Sequence, residues 1–368
     1  MSDPESGPVP LVPGQTLGIL GGGQLGRMLA VAAARLGLKT NVFDPDQFAP
    51  AGQVAQQLFS SSYRDRMALT AFARSSDVIT YEFENIPTEA LDLLGNLRPI
   101  RPGRQALAIS QDRLTEKTFL AEQGCQTARF ASVESLADLQ AAIAEIGLPA
   151  ILKTRRLGYD GKGQVRITDP SEAESAWDEI GAVPAILEGH VPFQFEASLI
   201  AARGLDGAIS VYDPGENVHR GGILATTTVP ARLSPSQRHD GVLMAAKLLN
   251  ALDYVGVMGV ELFVTKTAMI VNEIAPRVHN SGHWTQNGCS VDQFEQHVRA
   301  VAGWPLGDGT RFANVVMENL IGDDLDRLGE FARDPRCAIH LYGKSETRPG
   351  RKMGHVNLVY PLGAEAAR

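Results

Sequence analysis

Hydrophobic and polar positions change their period several times along this chain, and each change marks an element. Thr16–Leu20 is a short apolar run. The glycine-rich Gly21-Gly-Gly-Gln-Leu-Gly26 follows, then a helical period over 27–36 stopped at Gly37. Lys39–Asp44 reads as the next strand, which makes a βαβ opening, and Val78–Tyr81 and 97–100 read as further strands with helices between. From residue 111 the texture changes. Helical periods cover 113–123, Leu136–Ile146, 234–252 and 291–301. Apolar runs at 150–153, Gln164–Ile167, 185–188, 195–201 and 208–212 read as strands, and the tail after Arg311 as short strands and turns.

The segment from Glu261 to His283 is the most informative. Apolar residues flank a polar centre at Thr265-Lys266-Thr267, the pattern of a hairpin. A turn centred on 266–268 makes Glu261 and Glu273 cross-strand partners. Like charges placed opposite each other are destabilising, so the pair suggests a cation between them, and hard oxygen ligands suit Mg²⁺. Arg277, His279, Asn280 and His283 follow at once and suit an anion beside that metal. The spacing of His279 and His283 would fit zinc on a helix face, but Pro276 and Ser281-Gly282 break such a helix. No Glu follows the first His as a metalloprotease requires.

Three further places carry candidate chemistry. Gly21-x-Gly23-x-x-Gly26 opens a helix, where a phosphate or dinucleotide binds. Asp44 ends the second strand, the place of a ribose-binding acid. The bland reading is a tight turn. Gln24 is a polar candidate in that turn, and Tyr81-Glu82-Phe83-Glu84 closes a strand at the sheet end where ligands bind. Lys153, with Arg155, Arg156 and the loop 158–164, resembles a way to hold and cover phosphates, against the alternative of a solvated basic loop. Glu188 closes the next strand and could accept hydrogen bonds from adenine or ribose, with Glu196 eight residues on. Arg348-Pro-Gly-Arg351-Lys352-Met-Gly-His355 is a phosphate candidate or a surface basic turn.

Composition narrows the classes. The chain has 368 residues, enough for two or three domains. Its formal charge is −8, from 34 basic and 42 acidic side chains, which argues against nucleic acid as a general partner. Cys125, Cys289 and Cys337 are odd in number and lack metal-ligand spacing, as expected for reduced thiols in a cytoplasmic protein. No apolar run reaches the ~18 residues that span a bilayer, so a soluble protein with no membrane partner is expected.

Together these residues resemble the ATP-grasp superfamily and, within it, the N5-carboxyaminoimidazole ribonucleotide synthetase family. The resemblance rests on Gly-Gln-Leu-Gly-Arg at 23–27, Tyr-Glu-Phe-Glu-Asn at 81–85 and Asp-Arg-Leu-Thr-Glu-Lys at 112–117. It continues through Gly-Tyr-Asp-Gly-Lys-Gly-Gln at 158–164, Gly-Val-Glu-Leu-Phe at 259–263, the run 272–285 and the turn 348–355. It implies a mixed α/β and α+β chain. A disordered extension (1–15) would precede an N-terminal doubly wound parallel-sheet, Rossmann-like domain (16–110). An ATP-grasp domain (111–308, subdomains 111–185 and 186–308) and a small C-terminal β-rich domain (309–368) would follow.

The implied activity is that of an ATP-dependent carbon–nitrogen ligase of purine biosynthesis. It would carboxylate 5-aminoimidazole ribonucleotide with bicarbonate by way of carboxyphosphate, in a cytoplasmic homodimer. The resemblance assigns ATP to Arg113, Lys153, Gly158, Tyr159, Asp160, Gly161, Lys162, Gly163, Gln164, Glu188, Gly189, His190, Val191, Glu196, His219, Asn272 and Glu273. Mg²⁺ falls to Glu261 and Glu273. Gln24, Leu25, Glu82, Tyr159, Asp160, Arg277, Asn280, Lys344, Arg351 and Lys352 would bind the ribonucleotide and bicarbonate, the last three its phosphate. Lys153, Arg277, His279 and Asn280 would be catalytic. The chain stops soon after Asn357, where the family leads one to expect another helical segment. The rivals are another ATP-grasp ligase or carboxylase, an NAD-dependent oxidoreductase using the first turn and Asp44, and a non-catalytic nucleotide-binding regulator.

Overall fold

The computed structural model describes residues 9–158 and 161–364. Its strands fall into three sheets. β1 (Thr16–Leu20), β2 (Lys39–Asp44), β3 (Gln57–Ser60) and β4 (Val78–Tyr81) form a parallel sheet in the order β3-β2-β1-β4. β1, β2 and β4 are almost wholly buried, as a parallel sheet covered on both faces requires. β5 (Phe130–Val133), β6 (Ala150–Thr154), β7 (Gln164–Ile167) and β8 (Ala185–Gly189) form a small antiparallel sheet, β5-β8-β6-β7. Leu139 and Ile143, on one face of the helix Leu136–Ile146, pack against Leu152 and Leu187 of that sheet.

The largest sheet holds β9 (Phe195–Arg203), β10 (Ile209–Val211), β11 (Gly215–Arg220), β12 (Ile223–Val229), β13 (Gly256–Val264), β14 (Met269–Ala275), β15 (Ala313–Ile321), β16 (Cys337–Leu341) and β17 (Lys352–Pro361). Its path is β14-β13-β9-β11-β12-β15-β17-β16, with β10 on β9. The helix Gln24–Arg35 and the helix Gln293–Ala302 share one core with it, so Leu29 and Phe294 lie in the same cluster as Ile200 and Val257. Arg35 bonds Asp292 at 3.0 Å and Glu295 at 2.9 Å across that junction.

Several expectations need correction. Of the expected disordered extension, residues 1–8 lie outside the described residues, and the rest is anchored at Leu11, which is buried, donates its N–H to Ala302 O at 2.8 Å and accepts at its carbonyl from Trp304 Nε1 at 2.6 Å. The expected strand at 97–100 is reduced to a single bridge of Ile100 to Ile79, because the preceding helix turns out through 96–98. β3, too short and polar for its period to show, was missed. The tail after Arg311 contains two long strands, β15 and β17, and β15 pairs with β12. The boundary expected at 308/309 therefore does not separate sheets.

Candidate active site

The hairpin of β13 and β14 does place Glu261 opposite Glu273, by a route the sequence pattern does not reveal. The turn closes one residue earlier than expected, with Val264 opposite Met269 and Thr265 N–H bonded to Ala268 O at 2.9 Å. Continued regularly, that register would set Asn272 against Glu261. A bulge between the Leu262–Val271 and Glu261–Glu273 pairs absorbs Asn272 and restores the carboxylate pair.

Each carboxylate has a nitrogen partner. Arg113, in the first turn of the helix Arg113–Glu122, bonds Glu273 at 2.9 Å and Gly158 O at 3.3 Å. That helix starts there because Asp112 caps it, accepting from Leu114 and Thr115 N–H. His279 Nε2 lies 3.2 Å from Glu261. Burial raises the Glu261 carboxyl, but the hydrogen bond and charge of His279, with His219 and Arg277, bring it down to about 2. His279 approaches because residue 259 is glycine: a Cβ there would stand 2.8 Å from the His279 Cβ. Its Nδ1 meets Ser281 Oγ at 2.8 Å, and Ser281 accepts from Ser198 Oγ at 2.6 Å, so the ring is fixed from both sides.

The donor set fits a magnesium ion carried by a phosphate. Glu261 and Glu273 supply two carboxylates from paired positions, and the neighbouring Asn272 has its Oδ1 buried with no partner among the described residues. No group of three or more His, Cys, Asp or Glu converges among those residues. Mg²⁺ typically takes one or two carboxylates and completes its shell with water and phosphate oxygens.

Beside the pair, Glu84, Arg113, Glu116, Gly158, Glu273 and Arg277 line a polar cleft open to solvent. Arg277 forks onto Glu84 through two nitrogens, the Nη2 contact at 3.0 Å. On the sheet β5–β8, Lys153 bonds Glu188 at 3.0 Å, and Lys117 lies 3.3 Å from the same oxygen. Burial raises the Glu188 carboxyl, while Lys153, Lys117 and Arg113 bring it down to about 2. Its other oxygen, Oε1, is buried without a partner among the described residues, a ready acceptor for a donor entering the cleft. Glu196 bonds His219 at 2.7 Å; burial lowers the imidazole, but Glu196 and Glu261 raise it further than burial lowers it.

Not every expected contact faces the cleft. Gly189, at the end of β8, is half-buried, and in the link to β9 His190 is exposed and Val191 buried. His283 is buried, held by Gln293 at 3.0 Å and packed on His355 at 4.6 Å between ring centroids. It is therefore a core residue, separated in role from His279. Asn280 exchanges two hydrogen bonds with Asn319, at 3.0 and 2.9 Å. Arg155 is drawn to Asp112 and Glu134, at 2.9 and 2.8 Å, which leaves it less available to a phosphate. Tyr159 and Asp160 lie outside the described residues.

The glycine turn is filled from within. Gly22 N–H donates to Asp44 at 2.7 Å and Gly23 N–H to Glu82 at 2.9 Å. Gly21 has φ +96°, and a Cβ there would stand 2.7 Å from Glu82 Oε1. Two of the chain's own carboxylates thus occupy amides that a dinucleotide pyrophosphate would need, which removes the oxidoreductase reading. Gln24 and Leu25 begin the helix beyond this turn, with Leu25 in the core. Arg27 on that helix bonds Gln53 at 2.7 Å, and Gln53 donates to Gly343 O at 2.7 Å. The basic turn is thereby brought to the N-terminal sheet, where Lys344 donates to Lys352 O at 2.7 Å and Arg351 to Glu346 O at 3.0 Å.

Glu82 yields a pH prediction. Burial raises its carboxyl to about 7, against the Gly23 amide and Arg277, which lower it. The unfolded chain releases this proton near 4.5 and the folded chain near 7, so stability falls as pH rises between the two. Glu82→Gln is expected to remove that slope and to gain at most about 3 kcal/mol above pH 7. Urea unfolding at pH 5 and pH 8 checks this; parallel pH dependences in the two proteins would contradict it.

Glu84, Glu116 and Lys117 lie within the motifs quoted above but are not among the site residues expected from the sequence. A signal was available for two: Glu116 and Lys117 stand three and four positions after Arg113, on one helix face.

Residues 14–111 match the ribonucleotide synthetase preATP-grasp domain, 118–294 the ATP-grasp domain, and 315–368 the phosphoribosylaminoimidazole carboxylase C-terminal domain. The N5-carboxyaminoimidazole ribonucleotide synthase of Brucella melitensis is 52% identical over 95% of this chain and 98% of its own length. The crystal structure of Staphylococcus aureus N5-carboxyaminoimidazole synthetase with ADP superposes with TM-score 0.91 at 40% identity, over 95% of this chain and 94% of that one. The Aspergillus clavatus synthase with ADP and 5-aminoimidazole ribonucleotide gives TM-score 0.89 at 31% identity, with the same coverage.

Proposed function

The chain belongs to the N5-carboxyaminoimidazole ribonucleotide synthase family of ATP-grasp ligases, and from that premise we propose that its cleft carboxylates 5-aminoimidazole ribonucleotide with ATP and bicarbonate in purine biosynthesis. The observation that carries this reading is the facing pair Glu261 and Glu273, with Arg113 on one flank and His279 on the other. An ATP-binding strand and an anion-binding loop meet there.

In this reading Lys153, Arg113 and the loop 158–164 hold the phosphates of ATP, and Glu188 Oε1 accepts from the nucleotide. Gly189, His190 and Val191 follow Glu188 in sequence and would contact the nucleotide, with Glu196 and His219 bonded to each other. Glu261 and Glu273, with Asn272 adjacent, would hold Mg²⁺, which when bound offsets phosphate charge and orients the phosphoryl group. Arg277, kept in orientation by Glu84, and Asn280, kept by Asn319, hold bicarbonate. A bicarbonate oxygen attacks the γ-phosphorus and ADP leaves. The carboxyphosphate C–O bond then breaks to CO₂ and phosphate, and the ribonucleotide amine attacks the carbon and loses a proton. His279 and Asp160 are the two groups available for that proton. Lys153 and Arg277 stabilise charge on the transferring group, and the loop 158–164 excludes water that would consume the intermediate. Gln24, Leu25 and Glu82 meet the ribonucleotide from the N-terminal sheet. The same reading includes a cytoplasmic homodimer.

Lys344, Arg351 and Lys352 bind the ribonucleotide phosphate in this account. Lys352→Ala is expected to raise the KM for the ribonucleotide about tenfold or more, the loss of one charge-assisted hydrogen bond, with the KM for ATP changed little. Steady-state kinetics with each substrate varied in turn checks this, and equal effects on both constants would contradict it.

A further inference from the structure

β14 is the edge strand of the large sheet, so the backbone groups on its outer side have no strand to pair with. Around Glu273 they are taken by side chains of one helix. Lys117 Nζ donates to Asn272 O at 2.7 Å, and Glu116 Oε1 accepts from Ile274 N–H at 2.7 Å. Arg113, on the same helix face, holds the Glu273 carboxylate at 2.9 Å. Val271 N–H is gripped by Gln126 O at 2.7 Å just beyond. Glu116 and Lys117 are almost fully buried, at 2% and 1% exposure. Two buried ionisable side chains spent on an edge strand's backbone need a reason, since burying charge is costly.

The reason lies in the bulge. Glu273 faces Glu261 only because Asn272 is absorbed as the extra residue. A slip of one residue would place Asn272 opposite Glu261 and turn Glu273 to the other face. The two backbone bonds bracket the register at 272 and 274. We infer that Glu116 and Lys117 are positioning residues that lock the β14 bulge, and through it set Glu273 against Glu261 as a metal-binding pair. This rests on the Mg²⁺ reading above. Lys117 also lies 3.3 Å from Glu188, so the same clamp joins the metal strand to the nucleotide strand.

The test is Mn²⁺ affinity in the presence of ADP, measured by electron paramagnetic resonance on the full chain. Glu116→Leu keeps bulk but leaves Ile274 N–H unpaired, and is expected to weaken Mn²⁺ binding about tenfold, the scale seen when a metal ligand loses its supporting partner. Glu116→Gln keeps an acceptor and is expected to stay within about twofold, a rescue that loss of charge alone does not predict. Lys117→Met removes the other half of the clamp and should weaken Mn²⁺ as Glu116→Leu does; it serves if the leucine variant fails to fold. Parent-like Mn²⁺ affinity in the folded Glu116→Leu or Lys117→Met variant would overturn the clamp. Glu273→Gln is measured in parallel. If it too binds Mn²⁺ as the parent does, the metal assignment falls; if it alone loses Mn²⁺, only the clamp falls.

Discussion

Glu273→Gln lowers ADP release by about a thousandfold in this account. The substitution is nearly isosteric, so it isolates charge from shape. Loss of a ligand that fixes the metal on the transferring phosphate removes several kcal/mol of transition-state stabilisation, and about 4 kcal/mol corresponds to about three orders of magnitude. The fold is expected to survive, because Arg113 retains the Glu188 carboxylate as a neighbouring charge. Glu261→Gln should match it in ADP release but also release His279 from its partner. Single-turnover ADP formation with saturating ATP, bicarbonate and ribonucleotide checks both. Near-parent turnover in Glu273→Gln would remove the carboxylate pair from the mechanism.

Glu188→Ala is expected to be the most destabilising change, by about 3–5 kcal/mol, the usual cost of stripping one partner from a buried ion pair. It would leave Lys117 and Lys153, 1% and 11% exposed, facing each other with no counter-charge between them. Adding Lys117→Met should recover part of the loss, since it removes one of the stranded cations. The pH dependence has a definite sign. The Glu188 carboxyl is depressed to about 2 from an ordinary 4.5, so its contribution is present above 4.5 and is lost as pH falls through about 2. Urea unfolding of the parent should weaken across that window, and Glu188→Ala should weaken less. A loss below about 1 kcal/mol at neutral pH would show that the pair is screened like a surface one.

What the sequence could reveal follows from which interactions are local. The glycine turn, the buried strands and the helix caps are written in neighbouring residues, and β1, β2, β4, β6, β7 and β8 lie where their apolar runs place them. Glu261 and Glu273 were paired correctly by counting back from the turn. The count succeeded because two errors cancelled: the turn closes one residue early, and the bulge at Asn272 restores the offset. No local pattern announces that bulge, since it is held from a helix about 155 residues earlier in the chain. Long-range pairing likewise hid the role of Glu84, whose partner Arg277 is 193 residues away. It hid the fate of Asp44 too, which turns inward to the Gly22 amide instead of outward to a ribose. The run of β12 into β15 was out of reach for the same reason: sheet order across an expected domain boundary is decided by tertiary packing.

In the proposed mechanism one cleft couples ATP cleavage to the ribonucleotide through bicarbonate. ADP release measured with and without 5-aminoimidazole ribonucleotide and bicarbonate tests it most directly. ADP release is expected to require bicarbonate, to be stimulated by the ribonucleotide, and to be matched by carbon from bicarbonate appearing on the ribonucleotide amine. ADP release indifferent to the ribonucleotide would contradict it.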